Sequence, residues 1–231
     1  MTRRKTPFLR LHGDPTPTPD EARQLGFAAW MVVALLGVAL LFMILGPHRI
    51  GDNFAETDFY GGYVGGARAL QHGHLDASRY GVVGPGYEAA LALAGFVIPD
   101  LFVAAELLSW IALLTGLACW VLLLGRRADA RLALVTAAFL AVNPTFFRAG
   151  YSATNDALAF ALQAAALLAL LTGGSRRSAV AAGLLTGLAF LTRYNAIALL
   201  PAALVAIAAG ATGHTSLAPD GPRREIGRAH V

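Results

Sequence analysis

Cysteine occurs once, as Cys119 inside an apolar run, so no disulfide can close within the chain and no cysteine-based metal site exists. Charge is also sparse: 14% of the 231 residues are charged, about half of what a soluble domain carries. Walker, HExxH and GxSxG elements are missing, so nothing points to phosphate-loop, zinc-protease or serine-hydrolase chemistry. No convincing internal repeat is present. What remains is apolar, with 56% hydrophobic residues and a mean hydropathy of +0.58, gathered into long unbroken runs. The net charge of +4 is not a nucleic-acid signature. The arginines stand in short clusters between apolar runs, as the topology of a membrane protein requires.

The runs can be followed along the chain. Residues 1–25 are polar and proline-containing and read as a poorly ordered cytoplasmic tail. Phe27 to Leu45 is long enough to cross a bilayer and reads as an uncleaved anchor rather than a signal peptide. Gly46 to Tyr80 is mixed polar and aromatic and does not belong in hydrocarbon, with a short helix expected from Asp58 to Leu70. Gly84 to Ile98 is apolar but short, which suits an interfacial or re-entrant helix. Leu101–Leu124 spans, Leu132 to about Phe147 spans back, and Ala157–Leu171 spans again. The last run, Ala179–Ala209, is interrupted at Thr192-Arg193-Tyr194-Asn195 and suits two short spans. Gly183 and Gly187 form a small-xxx-small pair expected to pack helices.

With the N-terminus inside and Gly84–Ile98 not crossing, Arg126/Arg127, Arg176/Arg177 and Arg223/Arg224 all fall inside. Asp58, Arg148, Asp156 and Arg193 then gather outside. If Gly84–Ile98 crosses, Asp58 and Asp156 separate to opposite faces and the positive-inside rule is broken.

The chemistry-bearing candidates lie at that outer face. Glu56 and Asp58, backed by aromatics, are either solvated loop acids or partly desolvated carboxylates able to serve as a base. Asp156 follows Ser152, Thr154 and Asn155, and is either part of a helix cap or a second carboxylate facing the same site. Arg193 interrupts an apolar run, where a charge is costly, and a guanidinium suits a pair of phosphate oxygens. Arg148 is a weaker candidate of the same kind, or an interfacial anchor. Tyr60, Tyr63, Tyr80, Tyr87, Tyr151 and Tyr194 fit an aromatic belt, with sugar stacking as the lesser alternative. His72 and His74 read as exposed loop residues.

The segments TDFYGGYVGGARALQHG, GPGYEAALAL, NPTFFRAGYSATNDALAF and GLLTGLAFLTRYNAIALLP follow one another in an order that resembles the GT-C superfamily. The resemblance is to glycosyltransferase family 39-like proteins: protein mannosyltransferases, aminoarabinose transferases and lipopolysaccharide-core transferases. It covers about Phe27 to Ala209. It implies an all-α polytopic transmembrane helix bundle of GT-C type, with interfacial helices in the first external loop. The chain departs from the family in having Thr57-Asp58-Phe59 where an Asp-Glu pair is common. By this resemblance Asp58 is the catalytic aspartate, Asp156 matches the acid after the next external turn and Arg193 the basic residue of the family's Thr-Lys position; the expected site has Asp58 and Asp156 as catalytic residues and Glu56, Arg148, Arg193, Tyr194 and Tyr87 as substrate-binding ones.

The implied reaction is inverting transfer of a hexosyl or pentosyl group from a polyprenyl-phosphate sugar donor to a hydroxyl of a glycan, lipid or protein acceptor. It would occur at the external face of a bacterial or archaeal cytoplasmic membrane. Some relatives use a divalent metal, Mg or Mn, and others do not; Asp58 and Asp156 are the candidate ligands. The bilayer is the expected partner, and nucleic acid is not. The competing readings are a transporter or flippase subunit for a lipid-linked saccharide, and a structural membrane subunit.

Residues 26–209 read as the N-terminal part of the transmembrane domain and 210–224 as a cytoplasmic loop. The last seven residues, Glu225 to Val231, can be encoded by GAG ATC GGA AGA GCA CAC GTC, which after its first base is the start of a common sequencing adapter. Residues 225–231 therefore read as an artefact of a truncated gene, with chance as the alternative.

Overall fold

The computed structural model describes residues 17–48, 56–81, 83–173 and 175–205. Expectations for residues 1–16, 210–224 and 225–231 lie outside the described residues. Every regular element among those described is helical. The chain divides after Ile197, and the second unit is described here only through a helix over residues 199–205.

The first helix, α1, runs Pro19–Leu45 and starts well before the apolar run. Residues 19–25 are therefore helical, which corrects the expectation of an unordered tail there. The cause is local: Thr18 caps the helix with a reciprocal Glu21 contact, and Pro19 occupies the first helical position. Leu101–Arg127 forms α4, capped by Asp100. At 27 residues each, α1 and α4 extend about 40 Å, enough to cross a membrane.

The expected span from Leu132 to about Phe147 is broken. Ala130–Val142 forms α5, and Pro144–Ala149 forms a separate α6. Asn143 is the reason: Pro144 cannot donate to a continuing ladder, and the Asn143 side chain caps the new helix at Phe146 N–H. Asp156–Thr172 is α7 and Arg176–Thr192 is α8, with Ser175 capping α8. The last apolar run breaks at Arg193, as expected, and a 3₁₀ turn follows over Tyr194–Ala198.

Between α1 and α4 lie four smaller pieces, one of them a 3₁₀ turn over Ala77–Arg79. Phe59–Tyr63 is a turn of π-helix continuous with α2, Val64–Gln71, and α3 is Gly86–Gly95. At 10 residues, α3 extends about 15 Å, half of a hydrocarbon core. It does not span, and its Leu93 together with Phe96 and Val97 just beyond it leave an apolar edge exposed, as an interfacial helix needs.

Two cores hold the first unit. Leu36, Leu40, Leu113, Leu117, Ala137 and Ala157 join α1, α4, α5 and α7. Helix α7 buries only alanines (157, 159, 161, 164 and 166), and Gly116 of α4 meets the Phe160 ring and Ala161. Such small residues let backbones approach closely, which is how helices associate where lipid removes the hydrophobic drive. Trp110 Nε1 donates to Gly37 O at 2.9 Å, tying α4 to α1. Gly183 and Gly187 do not pack helices as expected: among the described residues nothing lies within 4 Å of where their Cβ atoms would stand.

The second core is built from Phe59, Tyr63, Ala67, Tyr87, Leu91, Leu101 and Ala105. Tyr63 and Tyr87 are therefore interior residues, with their rings edge to face at 4.8 Å, rather than members of an aromatic belt. The architecture is an all-α membrane helix bundle with a small helical cap at one end.

Candidate functional site

The turn from Ser152 to Asn155, between α6 and α7, is the hub of the capped end. Its polar groups, two of the backbone and one side-chain amide, are taken up from three directions. Ala153 N–H donates to Glu56 Oε1 at 3.2 Å, from the first loop. Thr154 O accepts from Ser109 Oγ of α4 at 3.4 Å. Asn155 Nδ2 donates to Thr192 O, the last residue of α8, at 3.4 Å. Buried backbone groups must find partners, and here each partner belongs to a different helix or loop. The turn thus fixes where α7 begins and where α8 ends.

That arrangement brings Asp156 and Arg193 together as an ion pair. Asp156 is the first residue of α7, next to the cap position of Asn155, so it faces the positive end of the helix without capping it. Arg193 caps the C-terminus of α8 in an extended conformation. Their side chains are 52% and 39% exposed, open enough to meet a ligand. Tyr194 follows at once; its ring lies on Phe190, and its hydroxyl donates to Tyr80 O at 2.8 Å.

The two first-loop acids separate. Glu56 is fully buried and bound to the Ala153 amide and to His48. Asp58 is exposed and leaves its own helix uncapped. Asp58 is therefore the acid of the pair that a substrate can reach. The π-helical turn begins at the next residue, and such turns widen a helix locally, often at sites of function. Tyr63 closes that turn. Its phenol is pushed up to about 12, first by burial and then by the Asp58 carboxylate, while the Arg193 guanidinium pulls it the other way. Glu56, two residues before Asp58, holds the Ala153 amide, three before Asp156, so Asp58, Asp156 and Arg193 belong to one end of the bundle.

The far end of the first loop is clamped too. Tyr80 OH donates to Glu88 Oε2 at 2.6 Å, and Arg79 reaches both Glu88 Oε1 and Gly62 O. Burial and the Glu88 contact push the Tyr80 phenol up to about 12. Gly66 leaves room for the Glu88 carboxylate, and Gly84 and Gly86 let the chain pass against Leu191 and Thr192 at the end of α8.

Of the expected site residues, Asp58, Asp156, Arg193 and Tyr194 are partly or largely exposed at the capped end. Arg148 is exposed on α6 and makes no ion pair among the described residues. Tyr87 is 1% exposed and packs edge to face against Tyr63. His72 and His74 are exposed, as expected. Three further polar residues sit here that the pattern of runs did not single out: His48, Glu88 and Glu106. Glu106 carried a signal, since it is an acid inside the apolar run Leu101–Leu124, where charge is costly.

Asp156 is committed to Arg193, and no group of three His, Cys, Asp or Glu among the described residues could hold an ion. At one end of an all-helical bundle the described residues thus present an exposed carboxylate, Asp58, and a partly exposed Asp156–Arg193 ion pair. No curated protein and no solved structure matches the chain. One family profile does match, over residues 83–220, a stretch that includes Asp156 and Arg193 and begins after Asp58. With more than half of its length in that match, the chain belongs to the family described as dolichyl-phosphate-mannose-protein mannosyltransferase, a family of GT-C membrane glycosyltransferases.

Proposed function

We propose that the capped end transfers a sugar from a polyprenyl-phosphate donor to an acceptor hydroxyl, with inversion, at the external face of the cytoplasmic membrane. The observation that carries this reading is the tie between Glu56, two residues before Asp58, and the Ala153 amide, three before Asp156, whose ion pair with Arg193 stands at the same end of the bundle. The arginine clusters support the orientation. Arg176 and Arg177 begin α8, about 25 Å along that helix from Arg193, and Arg126 and Arg127 end α4 away from the cap.

In this mechanism the donor lies with its prenyl chain in lipid and its phosphate against Arg193. The acceptor oxygen attacks the anomeric carbon as the bond from that carbon to the phosphate oxygen breaks. Asp58 takes the acceptor's proton, and the departing polyprenyl phosphate gains a negative charge that Arg193 offsets. A general base contributes about 10²–10⁴-fold, so its removal is readily measured. Asp58→Asn in the full-length enzyme is expected to abolish transfer from a lipid-linked sugar donor while leaving the protein folded. Retained turnover would remove Asp58 from the base role.

A further inference from the structure

Behind Asp58 lies a buried trio that the transfer reaction does not use. His48 follows the end of α1, Glu106 lies in the second turn of α4, and Glu56 opens the first-loop helix. His48 Nδ1 is 2.8 Å from Glu106 Oε1, and its Nε2 is 3.3 Å from Glu56 Oε1. The Glu56 and Glu106 side chains are at most 1% exposed, and that of His48 12%. The imidazole is held between Tyr151, edge-on at 4.8 Å, and Phe102, stacked at 6.0 Å. Opposite ring nitrogens address the two carboxylates, so the three groups cannot converge on one metal ion.

Stability alone is a poor reason for such a cluster. Burying ionisable groups carries a desolvation cost of several kcal/mol each, and apolar replacements of buried ion pairs are often neutral or stabilising. What the trio does supply is a fixed distance. It runs from α4 through His48 to Glu56, and Glu56 then holds the Ala153 amide. Glu56 is two residues before Asp58, and Ala153 is three before Asp156. The chain of contacts therefore sets the first-loop acid against the turn that carries the Asp156–Arg193 pair.

We propose that His48 and Glu106 are positioning residues, acting through Glu56 to hold Asp58 in register with Asp156 and Arg193. The inference rests on the transferase reading above. Misplacing a base by about 1 Å can cost on the order of 100-fold in rate, whereas the donor contact at Arg193 is not touched. The test uses the full-length enzyme in membranes, with dolichyl-phosphate-mannose as the donor probe. Glu106→Ala and His48→Gln are expected to lower kcat by at least about tenfold while donor KM changes less than about threefold. Glu106→Gln, which keeps an acceptor for the imidazole, is expected to recover most of the rate.

Hydrogen exchange supplies a readout independent of donor choice: amides of residues 57–63 and 153–156 should exchange faster together in Glu106→Ala, with α4 and α7 otherwise unchanged. Unchanged exchange in both segments, or wild-type kcat in Glu106→Ala beside an inactive Asp58→Asn, would overturn the positioning role alone. An active Asp58→Asn would instead overturn the base assignment on which it depends. If both Glu106→Ala and His48→Gln fail to reach the membrane folded, the trio is a folding element and the proposal falls.

Discussion

At the scale of single residues, magnitude separates placement from stability. The Asp156–Arg193 pair is about half exposed, and ion pairs of that kind contribute roughly 0–1 kcal/mol. Holding the fold together is thus not its main consequence; it parks a guanidinium at the mouth of the site. Arg193→Lys keeps the charge but loses the planar fork that matches phosphate oxygens. It is expected to raise donor KM on the order of tenfold, with thermal stability unchanged, which steady-state kinetics and a detergent melt would show together. Arg193 was legible in the sequence because a charge stood where hydrocarbon was expected. Its pairing with Asp156 was not, because it depends on the Asn155 contact to Thr192, a tertiary bond between a turn and a helix end. Glu56 and Asp58 looked alike as neighbours in one loop. Only packing tells them apart, by turning one towards Ala153 and the other to solvent.

At the scale of elements, local punctuation decided most boundaries. Thr18-Pro19 and Asn143-Pro144 are signals that apolar periodicity does not include, so α1 began earlier and α5 ended sooner than the runs implied. The break at Arg193 and the short, non-spanning α3 were legible from length and charge. The π-turn at Phe59–Tyr63 has no composition signature. Close approach of α3 to α8 hangs on one glycine in particular: a Cβ at Gly84 would overlap the Leu191 carbonyl, which as backbone cannot swing away. Gly84→Ala is expected to destabilise by roughly 1–3 kcal/mol. Gly183→Ala on the open face of α8 should be neutral or slightly stabilising, because alanine is the better helix former. A pair of melting curves in detergent decides between these outcomes, and equal behaviour of the two variants would mean the α3–α8 contact is not tight.

At the scale of the whole first unit, its four longest helices fall into two lengths. Helices α1 and α4 have 27 residues each, and the α7–α8 hairpin has 17 in each arm, about 25 Å against a hydrocarbon core near 30 Å. A short hydrophobic element is accommodated by thinning the lipid around it, at a fraction of a kcal/mol per Å. The leaflet beside α8 would then dip towards Arg193, and a lipid phosphate riding in that leaflet would be carried down to the guanidinium without leaving its own monolayer. On the proposed transferase reading, the bilayer itself would be part of the substrate-loading geometry. Turnover in proteoliposomes should accordingly rise as acyl chains shorten towards the hairpin's length and fall as they lengthen; a flat response across the series would mean that the hairpin imposes no such dip.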